Sequence, residues 1–278
     1  MRLALDLRAF WASAVRDWRQ LRRYPTTLIF TLFWPLVLPA VYVYQAKGFG
    51  GGSPAALQAF ADRAGTAEVA GFLYVGGAMY MWLSVILWGP GAALRQEQQR
   101  GTLEELFLTP VARAVIIFGT APGAIIQVVW MFVVILVALR IVFGVTFGPL
   151  EVVRAFAVLA IATPVLIAGA GLFATGVLRL KEVAAAVQGL RGLFQMLCGI
   201  TFPIVVLPGL ARDAALALPP TYVIADIRAV LLSGASLASR GTDLLILALM
   251  GVGFGGLALW SFSRAERHAR RSGSLGRY

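Results

Sequence analysis

The feature that most constrains this chain is the spacing of its charges. Residues 24–46, 69–94, 114–139 and 155–178 contain no charged side chain, and each is long enough to cross a bilayer, which takes about 20 helical residues. A fifth apolar stretch, residues 183–211, is interrupted only by Arg191, and a sixth covers residues 244–263. With 59% hydrophobic and 13% charged residues and a mean hydropathy of +0.82, the chain cannot clothe itself in polar groups. A soluble globule, by contrast, is about a quarter charged. Disorder, coiled coil and collagen are excluded by the same composition. The pattern predicts an all-α integral membrane protein of six transmembrane helices with both termini on one side.

The net charge of +11 could suit a nucleic-acid binder. Its arginines, however, lie in short segments between apolar runs, which is how membrane orientation is written. Sixteen basic residues fall on one face: six from Arg2 to Arg23, then Arg95, Arg100, Arg113, Arg179 and Lys181, and five from Arg264 onward. Seven fall on the other, and Arg191 lies within a span. The richer face is predicted to be cytoplasmic, and no nucleic-acid partner is expected.

Residues 1–23 are not a signal peptide, because no compact apolar core with a small-residue cleavage site precedes the first span. Leu3, Leu7, Phe10, Ala14, Trp18 and Leu21 instead recur at three- and four-residue steps. This predicts an amphipathic helix in the membrane interface; a helix packed on a partner protein fits the same residues. Pro25 breaks it. Residues 202–243 hold apolar pieces too short to span, punctuated by Pro203, Pro208, Pro219 and Pro220, and are read as an external re-entrant helical hairpin. The expected layout is a single transmembrane domain over residues 1–278: an interfacial helix to 23, a six-span bundle over 24–263 and a basic tail over 264–278.

Catalytic equipment is sparse. The two lysines, Lys47 and Lys181, do not follow the glycine spacing of a phosphate-cradling loop. One cysteine, Cys198, and one histidine, His268 in the tail, do not supply a zinc site or an internal disulfide. No metal site and no catalytic residue is expected.

The loop after the second span is different. Thr102 is a good N-cap and Glu105 stands three residues on, the spacing of a capping box. Leu103, Leu106 and Phe107 give a short helix one apolar face, and Pro110 closes it. From the residues alone this is either a docking knob or an interfacial turn. Span five carries a second signal: Gln188, Arg191, Gln195 and Gly199 form a polar stripe at helical spacing. Ionisable groups inside membranes are costly and point to function, although Arg191 could also snorkel to headgroups. Span two adds Tyr74, Tyr80, Trp82 and Trp88. Tyr80 is a candidate for lining a substrate path, while Tyr74 and Trp88 sit where aromatic residues anchor a helix at the interface.

The run Glu97…Gly101-Thr102-Leu103-Glu104…Leu106…Thr109-Pro110 resembles the cytoplasmic signature of type-2 ABC exporter permeases. Gly199-Ile-Thr-Phe202-Pro203 with Leu207-Pro208 resembles the end of that family's fifth span. Leu218-Pro219 through Tyr222, Asp226 and Arg228 to Leu231 and Gly234 resembles its external hairpin. One departure is Thr120 after Gly119, where many relatives carry a lysine. The resemblance covers nearly the whole chain. It implies a dimer of identical permeases, in the bacterial inner membrane, that works with two cytoplasmic ABC ATPase subunits holding the ATP and magnesium; this chain would need no cofactor. It also implies that Glu97, Gly101, Thr102, Leu103, Glu104, Leu106 and Pro110 make a coupling helix seated in the ATPase. The cargo expected from the apolar spans is hydrophobic or amphiphilic: a drug-like molecule, a lipid-linked molecule or a polysaccharide. A secondary transporter would instead show an inverted repeat and paired ionisable groups near the midplane.

Overall fold

The computed structural model describes residues 2–50, 53–177 and 183–272. Arg179, Lys181 and the tail from residue 273 lie outside the described residues, as do the side chains of Leu103, Glu104 and Phe107 and several others within α1–α3 and near helix ends. The chain opens with α1 (Arg2–Arg23), α2 (Pro25–Gly50) and the short α3 (Pro54–Ala64). α4 (Val69–Trp88) passes through Gly89 into α5 (Pro90–Arg100). Two six-residue helices, α6 (Leu103–Leu108) and α7 (Arg113–Phe118), lead to α8 (Ala121–Ile141). α9 (Pro149–Val177), α10 (Val183–Leu197), α11 (Gly209–Leu216), α12 (Pro219–Ser233) and α13 (Gly241–Ser272) follow. No strand occurs among the described residues.

Among the described residues, four stretches are long and apolar enough to cross a bilayer: Val69–Arg100, Arg113–Ile141, Pro149–Gly176 and Ala238–Arg267. α11 and α12, bent by 85°, make a fifth if they count as one broken span. The first expected span falls on α2, a 26-residue helix. The expected fifth stretch, residues 183–211, does not form one helix: α10 covers Val183–Leu197, and residues 178–182 just before it lie outside the described residues. Gly199 then adopts a φ of 70°, a left-handed turn that glycine makes without strain. Pro203 and Pro208 keep the chain from resuming the same helix. At the other boundary, α13 runs unbroken through residue 263 to Ser272, so the basic segment begins as a continuation of the last long helix.

α4 is the axis of the bundle. Residues 71–80 are all buried, against α2, α8, α9, α10 and α12. Small residues permit that approach: a Cβ on Gly77 would lie 2.9 Å from the Pro39 Cα. α2 contains Pro35 and Pro39. Pro39 has no N–H to offer the carbonyl four residues back, and the Tyr74 hydroxyl donates to that Pro35 carbonyl at 3.5 Å. Tyr74 is therefore a buried partner of α2, which corrects its reading as an interface anchor; Trp88, at the end of α4, is exposed. α9 packs along α13, whose outward side exposes Leu245, Leu249, Val252, Leu257 and Trp260. An apolar face of that extent suits lipid.

The bundle has two distinct ends. The start of α4, the end of α10 and α12 meet at one, the α12 end, where Arg228 bonds to the first two. α1, α5, α6, α7 and the last turns of α13 meet at the other, the α6 end.

Candidate functional site

At the α6 end the chain makes a corner between α5 and α6. Gly101 closes α5 in the left-handed conformation, φ 77°, with its N–H donating to the Gln98 carbonyl, a C-cap that suits glycine. The Thr102 N–H donates to the Glu97 carbonyl at 3.1 Å. The Thr102 hydroxyl also turns back, donating to the Glu97 carboxylate, and Arg100 reaches the same carboxylate at 3.4 Å. The expected capping box is thus corrected: Thr102 has helical backbone angles and makes no side-chain cap. With its backbone already helical and its side chain turned back to Glu97, the Thr102 oxygen is not aimed at the N–H groups ahead. α6 then stops as the Thr109 hydroxyl donates to the Leu106 carbonyl at 2.6 Å, with Pro110 exposed just beyond. Leu108 is 81% exposed. Leu106 is half-buried, and the Leu103 and Glu104 side chains lie outside the described residues.

Neighbouring helices grip this corner. The Ala112 N–H, ahead of α7, donates to the Asp6 carboxylate of α1 at 2.7 Å. Arg113 donates to Glu266 of α13 at 2.5 Å, and Glu266 is buried. The Asp17 carboxylate lies against Gly123 of α8, where a Cβ would collide with it. α1 consequently presents three faces, since helical residues advance about 100° each. Asp6, Phe10 and Asp17 turn toward the bundle; Leu7, Trp11 and Trp18 form an exposed apolar stripe; Arg8, Arg16, Arg19 and Arg23 occupy the rest. Asp6 and Glu266 escaped the sequence reading, because a carboxylate facing a distant chain segment leaves no local pattern.

Of the residues expected along a substrate path, Tyr80, Gln188 and Arg191 meet, and Gln195 bonds to α2 instead. The Arg191 guanidinium lies over the Tyr80 ring, 4.7 Å from its centroid, and donates to Gln188 Oε1 at 2.9 Å. Gln195 Nε2 donates to the Tyr42 hydroxyl at 3.1 Å. Tyr42 was missed by sequence reading, although it is one of few hydroxyls in α2. Tyr80 lies eight residues before Trp88 on α4, about 12 Å along the axis. Beside it runs a groove of about 680 Å³ between α2, α4, α8 and α10, lined by Trp34, Leu38, Met81, Trp88 and Met131, with Ser84, Gln127 and Arg191 as its polar members.

The α12 end holds a different cluster. Arg228 is buried and donates to three carbonyl oxygens: Phe72 at 2.9 Å, Gly199 at 2.6 Å and Ile200 at 2.7 Å. Its plane covers the Phe72 ring at 3.4 Å. Nearby, Arg240 donates to the fully buried Asp226 at 2.6 Å and also pairs with Asp243. Asp226 and Arg228 therefore join α12 to α4, α10 and α13.

The described residues thus form a multi-pass helical bundle with a gripped corner at one end and an amphipathic groove in its wall. The sequence model of the ABC-2 type transporter family matches residues 8–232, which is most of the chain, and the protein belongs to that family. Members are permeases, transport subunits that are not themselves catalytic, and they normally work with an ATPase subunit. A search of curated protein sequences returns no match.

Proposed function

We propose that this chain is the membrane-spanning subunit of an ATP-driven exporter, acting as a homodimer with two separate ATPase subunits that bind ATP and magnesium. Six spans, with both termini in the cytoplasm of a bacterial inner membrane, follow from assigning α2, α4–α5, α7–α8, α9, α10 and α13 as crossings. α11 and α12 form the external re-entrant hairpin. The excess of arginine at the α6 end supports that orientation. The exposed apolar stripe of α1, flanked by arginines, suits an interfacial position among lipid headgroups.

The observation that carries the reading is the α5–α6 corner. A lever must transmit displacement without bending, and the Glu97–Thr102 clamp with the Gly101 turn at one end and the ties to Asp6 and Glu266 at the other hold both ends of the segment from Glu97 to Arg113. α6 projects from it with Leu108 open to a partner. ATP-driven closure of the two ATPases would move α6, and through α5 and α7 the bundle itself. Energy passes only if α6 makes different contacts in the two states. Mild-detergent purification of the tagged chain from native membranes tests this. Recovery of an ABC ATPase in equal amount, in a complex of two chains of each kind, is expected; a chain that comes down alone in several detergents would favour a secondary transporter.

A further inference from the structure

Resting on the permease reading, we propose that the α2–α4–α8–α10 groove binds anionic amphiphiles, with Arg191 holding the anionic head and the apolar wall holding the chain. About 680 Å³ falls within the range of sites for drug-sized ligands, roughly 300–1,000 Å³. Among the described residues the wall is apolar and aromatic, no carboxylate lines it, and Arg191 is the one cation in the lining and has no ion-pair partner. The Tyr80 ring and the Gln188 oxygen orient the guanidinium without neutralising it, and its Nε is buried with no acceptor. An uncompensated cation in a low-dielectric wall is costly unless an anion joins it.

The other arginines of the region show the contrast. The groove shares Val85, Gly89 and Gln127 with a polar cavity of about 360 Å³ at the α6 end. There Arg16 lies 3.1 Å from Asp17 and Arg100 3.4 Å from Glu97. That cavity balances its own charges and would admit a head of either sign. Arg191, deeper in the bundle, discriminates. Planar guanidinium geometry suits a carboxylate or phosphate, which it can bind through two N–H groups. An organic cation carrying the same chain would meet repulsion at the same point.

The test is direct binding to the full-length chain in phosphatidylcholine nanodiscs, with empty nanodiscs as the blank. Radiolabelled dodecyl phosphate is the probe, displaced by unlabelled dodecyl phosphate or by dodecyltrimethylammonium. On the wild type alone, the phosphate should bind about tenfold or more tighter than the ammonium, as expected for a charge pair away from water. Arg191→Gln should lose about tenfold in phosphate affinity, Arg191→Lys should fall between the wild type and Arg191→Gln because it keeps the charge but not the planar fork, and Arg16→Gln should stay within about twofold. Equal affinity for the two head groups would overturn the proposal, as would unchanged binding in Arg191→Gln or an equal loss in Arg16→Gln. If Arg191→Gln does not fold, the wild-type comparison still decides. Phosphatidylglycerol added to the nanodisc identifies the source of the head: displacement of the probe assigns the groove to a bilayer lipid, and no displacement assigns it to a single-chain cargo. The assay needs no ATPase, so its failure leaves the permease reading standing, and failure to recover an ATPase leaves this result standing.

Discussion

Arg191 and Arg228 are both arginines inside an apolar bundle, and they are treated in opposite ways. Arg228 is buried with its donors spread over three backbone carbonyls and its plane on a phenyl ring. The Gly199 and Ile200 carbonyls lie in the turn after α10, past the point where a helix supplies donors, while the Phe72 carbonyl in the first turn of α4 gains a donor beyond its helical one. Arg191 is half-exposed, bonded once to Gln188 three residues earlier on its own helix, and turned toward a groove. The first arginine completes the fold. The second leaves charge unspent, which is what a binding residue has to do.

The strongest way to break this comparison is Arg228→Ala. The Gly199 and Ile200 carbonyls would lose this donor, at about 1–3 kcal/mol each, and a buried side chain would be replaced by empty space, so the protein should fail to accumulate or should melt far below the wild type in detergent. A melting temperature like that of Arg191→Gln would erase the distinction. Arg240→Gln comes next. It strands the buried Asp226 carboxylate, a loss at the lower end of about 3–5 kcal/mol because Arg240 is itself partly exposed and the carboxyl can take up a proton. A denaturation midpoint unchanged by this substitution would show that the Asp226–Arg240 pair holds nothing together. Gly76→Ala sharpens the same region, since its Cβ would collide with the Ile200 carbonyl and with Arg228. Overpacking of this kind costs about 1–3 kcal/mol, readable as a lowered melting temperature. The smallest expected effect on stability is that of Arg191→Gln, within about 0.5 kcal/mol; a large drop in melting temperature would make Arg191 a second structural arginine.

Much of the fold was legible because α4, α8, α9 and α13 are written as long charge-free runs, and bilayer thickness converts run length directly into helix length. α10 was not, because hydropathy reads residues 183–211 as one apolar block. It does not register the left-handed turn at Gly199 or the missing donors at Pro203 and Pro208. The site was legible in part for a similar reason. Helical spacing placed Gln188, Arg191 and Gln195 on one face, and the structure sets that face against Tyr80 and Tyr42. Which way the Thr102 hydroxyl would turn was not legible, because Glu97 and Glu105 both lie within reach of it in sequence. Nor could the sequence tell Arg228 from an ordinary loop cation, since its partners are backbone carbonyls supplied by residues 72, 199 and 200.

The two ends of the molecule offer the most direct test of the exporter reading. Leu108 on α6 is 81% exposed and Leu210 on α11 is 89% exposed, so each can carry a photo-crosslinking amino acid without entering the core. After irradiation of native membranes, an adduct between the chain and an ABC ATPase should form from position 108 and not from position 210. An ATPase adduct from position 210, or none from position 108 in membranes where the complex is recovered intact, would contradict the assignment of α6 as the element that receives the work of ATP.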